Sequence, residues 1–392
     1  MRRLFGFLLV VLVAGCEPAN DEEPLPFPPA GPGEAPDPST FGPFPVGVRT
    51  FTLVDSSRTT PGRTEPRQLV CEVWYPARES ARDATGETYV LHDMLPDDLK
   101  EQIPAEALGE LHTTAVRDAP QRQDRRPFPF VVFSHGKGST RMQSNYYTVY
   151  LASHGYVVVS PDHEGDQLVD LLREGDVEIN STLDSFFDRP LDVQFILDHF
   201  ERLPEDDFLA GMVDMDQVGV TGHSFGALTS MRVAGEDARI KAALPQTPAA
   251  HILSTVDILT PSEEWGIPIM LQAADLDRTL PADDNATSCW AHLVDPRFFL
   301  RLKTAGHFTY SDLCVLDVET IDAAIEMDVS NVLTDGCGPE NVSPEVAFPV
   351  IRHYSIGFFN RYLRGSTETG ALLTEAEGQA LAGDEVSFVA DP

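Results

Sequence analysis

The chain has 392 residues, with 62 acidic and 28 basic side chains and a formal net charge of −34. So acidic a chain repels nucleic acid and anionic lipid head groups, which excludes nucleic acid as a partner. Its length is normal for one α/β domain with loop insertions. The sequence holds neither Cys-x-x-Cys nor His-Glu-x-x-His, so no metal site is predicted.

The first residues are typical of a targeting segment. Two arginines at positions 2 and 3 precede an apolar run over residues 4–13, which is too short to span a bilayer and indicates a signal peptide over residues 1–15. The ending Ala14-Gly15-Cys16 resembles a bacterial lipoprotein cleavage site, in which Cys16 becomes the lipidated first residue. Glu17 then resembles the pattern of lipoproteins that are sorted to an outer membrane or cell surface. The alternative is ordinary signal cleavage beside a chance cysteine.

Residues 16–45 are predicted to form a tether. After Cys16 this stretch carries ten prolines and six acidic residues and no basic one. Such a composition builds no core and biases the chain toward an extended, semi-rigid conformation. One folded domain, expected to be monomeric, is therefore predicted over residues 46–392.

Apolar runs alternate with helix-forming runs along this domain. Strands are predicted at 48–54, 69–75, 128–134, 156–160, 240–244, 267–272 and 298–302, with one more directly before Ser224. Helices are predicted at 142–154, from Arg189-Pro190 to about 202, and at 344–363. The polar stretch 77–126 is interpreted as an insertion with short helices at 97–102 and 105–111. The alternation indicates an α/β fold with a mostly parallel, doubly wound sheet.

The strongest motif is Gly222-His223-Ser224-Phe225-Gly226, which follows a run rich in β-branched residues and precedes a helix-forming run. This is the context of a nucleophile elbow, in which a strained turn presents a serine at the end of a strand. Glycines are required on both sides, because a Cβ there would meet the neighbouring chain. Ser224 is therefore the candidate nucleophile.

A serine nucleophile needs a histidine base that a carboxylate holds in one tautomer. In this fold class the acid and the histidine follow the serine along the chain, each in a loop after a later strand. The acid candidates are Asp275, Asp277, Asp283 and Asp284, of which Asp277 is preferred and Asp275 is the runner-up. The base candidates are His292, His307 and His353. His307 is preferred, because it follows Gly306 in the loop after a predicted strand, whereas the other two fall in helical stretches.

Two backbone N–H groups are expected to form an oxyanion hole. Phe225, directly after the nucleophile, supplies one. The other is expected from Lys137, which lies between two glycines after the strand at 128–134.

Four cysteines besides Cys16 permit two disulfides in three connectivities in an exported protein. We favour the pair Cys314–Cys337, because both lie in one loop-rich stretch. Cys71 sits in a predicted strand and fits a buried free thiol equally well. The partner of Cys289 is left open.

The motifs together resemble a known family. The runs Phe133 to Gly138, Leu151 to Tyr156, Val218 to Gly226 and Gly306 to Phe308 resemble the platelet-activating-factor acetylhydrolase-like group of α/β-hydrolases, which overlaps with predicted dienelactone hydrolases. The acid loop at 274–281 is similar to that of bacterial cutinases and polyester hydrolases. Ala227 departs from the pattern, since many relatives have a second glycine there. True dienelactone hydrolases use a cysteine nucleophile, so their activity is not implied.

The resemblance implies a serine esterase with Ser224, Asp277 and His307 as triad and the Lys137 and Phe225 N–H groups as oxyanion donors. We expect an exported enzyme that hydrolyses short acyl esters without a cofactor. One alternative is a cutinase-like hydrolase of polymeric esters. Another, from a different class, is an inactive surface lipoprotein that uses the fold for binding.

Overall fold

The computed structural model describes residues 35–124, 126–174, 179–251, 266–316 and 334–392. The predicted signal peptide, the lipidation site Cys16 and the first part of the predicted tether lie outside these residues. Among the described residues, no helix is both long enough and apolar enough to cross a membrane.

The core of the molecule is one ten-stranded sheet, with the strand order β12-β11-β10-β9-β8-β6-β7-β2-β1-β5. The six strands from β11 to β7 run parallel, while β12 and β2 flank them in antiparallel orientation. The strands of this sheet are β1 (Val46–Thr59), β2 (Pro66–Pro76), β5 (Val116–Arg117), β6 (Phe128–Ser134), β7 (Val157–Pro161), β8 (Val213–His223), β9 (Ile240–Gln246), β10 (Ile269–Ala274), β11 (Arg297–Leu302) and β12 (Val386–Asp391). The predicted α/β class with a mostly parallel sheet is confirmed.

Helices cover both faces of the sheet. The α-helices within the described residues are α1 (Asp97–Lys100), α2 (Asn145–Ser153), α3 (Leu168–Glu174), α4 (Ile179–Phe200), α5 (Phe225–Glu236), α6 (Ser288–Trp290), α7 (Pro344–Leu363), α8 (Thr367–Gly370) and α9 (Glu375–Ala382). Helices α4 and α5 pack on one face with Phe130 and Val132 of β6, and helices α2 and α7 pack on the other with Val131 and Phe133. Strand β6 is thus buried on both faces, as its continuous apolar sequence predicts.

The insertion differs from the prediction in its second half. Helix α1 matches the first predicted helix, but residues 105–109 form turns and the chain then enters strand β4 (Glu110–His112), which pairs with β3 (Thr88–Val90). The apolar side chains of the insertion form their own cluster, which packs against Met142, Leu172 and Leu316. These three residues follow β6, β7 and β11, so the insertion borders the carboxyl edge of the parallel strands.

The predicted helix start at Arg189-Pro190 is wrong. Helix α4 begins at Ile179 and contains Pro190 in its interior. A proline inside a helix leaves the carbonyl four residues earlier without its N–H donor. Here that carbonyl belongs to Phe186, and it accepts a hydrogen bond from the Arg232 guanidinium of α5 instead. A neighbouring helix therefore supplies the donor that proline lacks.

The structure differs from the prediction at two further places. Strand β12, which was not predicted, completes the sheet beyond β11. The last part of the predicted tether, residues 35–45, packs on the domain: Phe44 is buried, and the Tyr150 hydroxyl donates to the Thr40 carbonyl at 2.5 Å. The Asn360 amide also donates to the Pro36 carbonyl at 3.3 Å. Residues 35–45 thus pack as part of the domain, although the predicted domain boundary lies at residue 46.

Candidate active site

The nucleophile elbow lies between β8 and α5. Ser224 has φ +59° and ψ −118°, a strained conformation for a residue with a side chain. A Cβ on Gly226 would lie 1.9 Å from the Ser134 carbonyl oxygen of β6, and one on Gly222 would lie 2.5 Å from the same atom. The close approach of β6 therefore requires glycine on both sides of the serine, and the turn projects the Ser224 hydroxyl beyond the carboxyl edge of the sheet.

The structure brings Ser224, His307 and Asp277 together. The His307 Nε2 atom lies 2.9 Å from the Ser224 Oγ, and the His307 Nδ1 atom lies 2.8 Å from an Asp277 carboxylate oxygen. With Nδ1–H donating to the carboxylate, Nε2 is free to accept the serine proton. We call these three residues the candidate triad. Asp277 follows β10 and His307 follows β11, so parallel strands carry all three side chains to one edge.

The other acid and base candidates are placed elsewhere. Asp275 forms an ion pair with Arg301, at 2.8 Å. Asp283 and Asp284 are exposed in a helical turn. His292 is exposed beside α6, and His353 is buried within α7. Of the weighed alternatives, only Asp277 and His307 contact one another.

The loop after β6, with the predicted oxyanion donor Lys137, is held by buried polar groups. The Arg189 guanidinium donates to the His135 carbonyl at 2.6 Å and to the Gly136 carbonyl at 3.2 Å. A peptide group is planar and trans, so a Gly136 carbonyl that points at Arg189 directs the Lys137 N–H the opposite way. On the other side of Lys137, the Gly138 N–H donates to Asp166 at 3.2 Å.

Arg189 also touches the second predicted oxyanion residue. Its guanidinium lies 5.0 Å from the centroid of the Phe225 ring and pairs with Asp166 at 2.8 Å. The arginine is fully buried, and burial lowers its pKa, which the charge of Asp166 opposes. The sequence analysis missed this residue: the Arg-Pro pair was interpreted only as a helix start.

A chain of hydrogen bonds connects the loop after β6 to the base. The Gly136 N–H donates to the Gln143 Oε1 at 2.5 Å, the Gln143 amide donates to the His223 Nδ1 at 2.6 Å, and the His223 Nε2–H donates to the His307 carbonyl at 2.9 Å. Burial lowers the pKa of His223 well below its ordinary value, so this ring is neutral. His223 belongs to the elbow motif and Gln143 to no motif, so the sequence did not indicate that these two residues link the loop after β6 to His307.

A second Ser–His–Asp arrangement lies inside the domain. The His163 Nε2 is 3.2 Å from the Ser134 Oγ, and the His163 Nδ1 is 2.9 Å from an Asp192 carboxylate oxygen. We call Ser134, His163 and Asp192 the buried trio, since none of them is more than 1% exposed. Arg67 holds Asp192 with two hydrogen bonds of 2.6 Å, and Arg58 adds a third at 2.9 Å.

The cysteines divide into one bridge and two thiols. Cys314 and Cys337 form a disulfide, with Cα atoms 4.9 Å apart. Cys71 and Cys289 are free and buried, and burial raises the pKa of the Cys289 thiol to about 12. Over the described part of the chain, no group of three or more His, Cys, Asp or Glu side chains is placed to hold a metal ion.

Comparison with known proteins gives two family matches along this chain. Residues 36–168 match the family "Platelet-activating factor acetylhydrolase, isoform II", and residues 126–315 match the "PET hydrolase-like" family. The second match spans the elbow, the acid loop and the histidine loop.

Individual relatives agree with these families. The chain is 23% identical to cutinase est1 of Thermobifida alba over 47% of this chain and 55% of that protein. It is 27% identical to a platelet-activating factor acetylhydrolase of Canis lupus familiaris over 34% of this chain and 37% of that protein. The alignments thus span less than two thirds of either relative. Among solved structures, a ferulic acid esterase from Streptomyces cinnamoneus matches with a TM-score of 0.64 and 25% identity, over 88% of this chain and 96% of that chain.

Proposed function

We propose that this chain, an α/β-hydrolase of the platelet-activating-factor acetylhydrolase and cutinase-like group, hydrolyses carboxylic esters through an acyl-enzyme on Ser224. The observation that carries the proposal is the unbroken hydrogen-bond chain from Asp277 through His307 to the strained elbow serine. An inactive binding protein has no need for a strained backbone at this one hydroxyl, nor for a base aligned with it.

In the proposed reaction the Ser224 oxygen attacks the ester carbonyl while His307 Nε2 takes the serine proton. The N–H groups of Lys137 and Phe225 stabilise the negative charge that develops on the carbonyl oxygen. Collapse of the tetrahedral intermediate expels the alcohol, which receives the proton from His307, and leaves the acyl group on Ser224. Water then attacks the acyl-enzyme by the same steps, and the carboxylic acid leaves. Asp277 keeps His307 in the required tautomer throughout, and the reaction uses no cofactor.

For the substrate we propose short acyl esters. The insertion borders the carboxyl edge of the sheet near the loops after β6, β7 and β11. Its side chains would limit the space for the acyl group on that side of the candidate triad, which favours a small acyl group. Polymeric esters are a second candidate, because the match to the PET hydrolase-like family covers the whole candidate triad. The sequence leaves little room for a large lid between Ala243 and Ile267, which argues against a lid-gated long-chain lipase, and residues 252–265 of that stretch lie outside the described residues.

Two measurements test the proposal. A fluorophosphonate probe is expected to label the wild-type protein on Ser224 and to leave Ser224→Ala unlabelled. A series of p-nitrophenyl esters from acetate to laurate is expected to give the highest kcat/KM at the short end. Faster release of products from an insoluble polyester film than from soluble short esters would favour the cutinase-like candidate. Absence of both labelling and hydrolysis would contradict the proposal and favour a binding protein.

We further propose that the protein is an exported, monomeric lipoprotein anchored through Cys16. The Cys314–Cys337 disulfide supports an oxidising compartment. Stable anchoring requires more than one acyl chain, at about 0.8 kcal/mol per buried methylene. Mature wild-type protein is expected to partition into detergent, and Cys16→Ser is expected to stay in the aqueous phase. A Cys16→Ser protein that still fractionates with membranes would refute the anchor.

A further inference from the structure

Asp335 lies in the segment that the Cys314–Cys337 disulfide joins to the stretch after His307. Its side chain is 2% exposed, although a carboxylate is costly to bury without partners. One oxygen accepts the N–H of Arg278 at 2.9 Å and the N–H of His307 at 3.0 Å. The other accepts the N–H of Thr279 at 2.7 Å and its hydroxyl at 2.6 Å. Four donors from two different loops therefore converge on one carboxylate.

These two loops carry the acid and the base of the candidate triad. Arg278 and Thr279 directly follow Asp277, and His307 is the base itself. The backbone adds to the contact: the Phe308 N–H donates to the Asp335 carbonyl at 2.9 Å. A Cβ on Gly306 would lie 2.4 Å from the Asp335 carbonyl carbon, so only glycine allows the histidine loop to come this close. The segment at Asp335 is thus packed against both loops at backbone distance.

We propose that Asp335 is a positioning residue, which sets the separation and orientation of Asp277 and His307 by binding the backbone of both loops. The inference rests on the proposed esterase function, since it assigns a role in the same reaction. Asp335 touches neither the serine nor the reacting atoms. It acts through the 2.8 Å hydrogen bond between His307 and Asp277. Misplacement of a catalytic group by about 1 Å costs on the order of 100-fold in rate.

The test compares two isosteric substitutions. Asp335→Asn replaces one acceptor oxygen by an NH₂ group that faces N–H donors, which breaks the hydrogen bonds to the acid loop alone or to both loops, depending on the oxygen replaced. Asp55→Asn is the matched control. Asp55 is 4% exposed, accepts the N–H and the hydroxyl of Ser57 at 3.0 and 2.6 Å and pairs with Arg58 at 2.7 Å, but it lies on β1, away from the loops of the candidate triad.

We expect Asp335→Asn to lower kcat about 100-fold while KM stays within about two-fold. The low-field NMR resonance of the proton between His307 and Asp277 is expected to broaden or vanish. Asp55→Asn is expected to lower the melting temperature but to keep kcat and the resonance. Both proteins are measured well below their melting temperatures, with active sites counted by fluorophosphonate titration.

An Asp335→Asn protein that keeps wild-type kcat and the low-field resonance would overturn the inference, as would an equal loss of kcat in Asp55→Asn. If Asp335→Asn does not fold, Thr279→Val decides, because it removes only the hydroxyl donor at 2.6 Å. That variant is expected to lose kcat about five- to ten-fold, and unchanged kcat would overturn the inference. Failure of the proposed function is distinct, since the wild type itself would then be inactive and unlabelled.

Discussion

The candidate triad and the buried trio consist of the same three residue types, and in both a histidine links a serine hydroxyl to a carboxylate through hydrogen bonds of similar length. The serine–histidine distance is 2.9 Å in the candidate triad and 3.2 Å in the buried trio, and the histidine–carboxylate distances are 2.8 and 2.9 Å. The surroundings differ. The candidate nucleophile Ser224 has a strained backbone with positive φ, whereas Ser134, the last residue of strand β6, has an unstrained backbone and is buried.

The electrostatics of the buried trio also disfavour proton transfer. Burial lowers the pKa of His163 to about 4, and the nearby Arg189 adds to that effect. A general base works best with a pKa near the operating pH, so His163 is a poor acceptor for a serine proton. The carboxylate of the buried trio is also bound by two arginines, which draws its charge away from the histidine. Hydrogen-bond geometry alone therefore does not make a nucleophile: access to substrate and the direction of the backbone are needed as well.

The largest difference in activity is expected when the serine hydroxyl of each set is removed. Ser224→Ala should lower kcat/KM on a soluble ester by about 10⁶-fold, because no acyl-enzyme forms. Ser134→Ala, the same change in the buried trio, should stay within about three-fold of wild type, because that hydroxyl never meets substrate. Equal losses in the two variants would mean that the buried trio takes part in the reaction.

The next effect concerns the acid. Asp277→Asn should lower kcat/KM by about 10⁴-fold, since the amide disturbs the tautomer of His307. Asp275→Asn is the control two residues earlier, and it loses only an ion pair with Arg301 at the edge of the sheet. If Asp275→Asn is the crippled variant and Asp277→Asn is close to wild type, the acid assignment is wrong.

Removing the carboxylate charge of the buried trio should lower stability rather than activity. Asp192→Asn removes the closest charge partner of the buried Arg67 guanidinium and leaves it only the 3.7 Å ion pair with Asp188, which should lower the free energy of unfolding by about 3 kcal/mol. Asp277→Asn should change it by only about 1 kcal/mol. Urea unfolding of the two variants measures the difference. An Asp192→Asn protein as stable as the wild type would show that the ion pairs contribute no net stability.

The smallest effect is a pH dependence of stability. The folded-state pKa of His163, about 4, lies below its ordinary value of 6.5, so between these values the unfolded state binds the extra proton. Stability from this group is therefore lost as the pH falls, by about 2 kcal/mol between pH 7 and pH 5. In His163→Asn, whose amide can still donate to Asp192, the loss over this range should be smaller by that amount. Equal pH slopes in variant and wild type would contradict the assignment.

Much of the fold follows from local sequence. Strands β6 and β8, the glycines of the elbow and helix α7 are each specified by a few consecutive residues, and the residues Ser224, Asp277 and His307 could be chosen from chain order and loop context. The structure brings those three residues into contact, while their catalytic roles stay predictions.

What could not be predicted depends on contacts between distant segments. Pro190 lies inside a helix because Arg232, on another helix, supplies the missing donor. Asp335 is 28 residues from His307 along the chain, and nothing in its neighbours indicates that its carboxylate binds two loops. The buried contacts of Arg189 with the loop after β6 are equally non-local.

The packing of residues 35–45 determines which edge of the sheet lies next to the N-terminal segment. These residues contact Ser153 and Tyr150 near the end of α2, which is the amino edge of the parallel strands, whereas Ser224 lies at the carboxyl edge. A protein tethered through its N-terminus would therefore turn its reactive face away from the bilayer that holds it. Under the proposed lipid anchor, the enzyme would meet molecules that arrive from the surrounding medium before it meets the lipids of its own membrane.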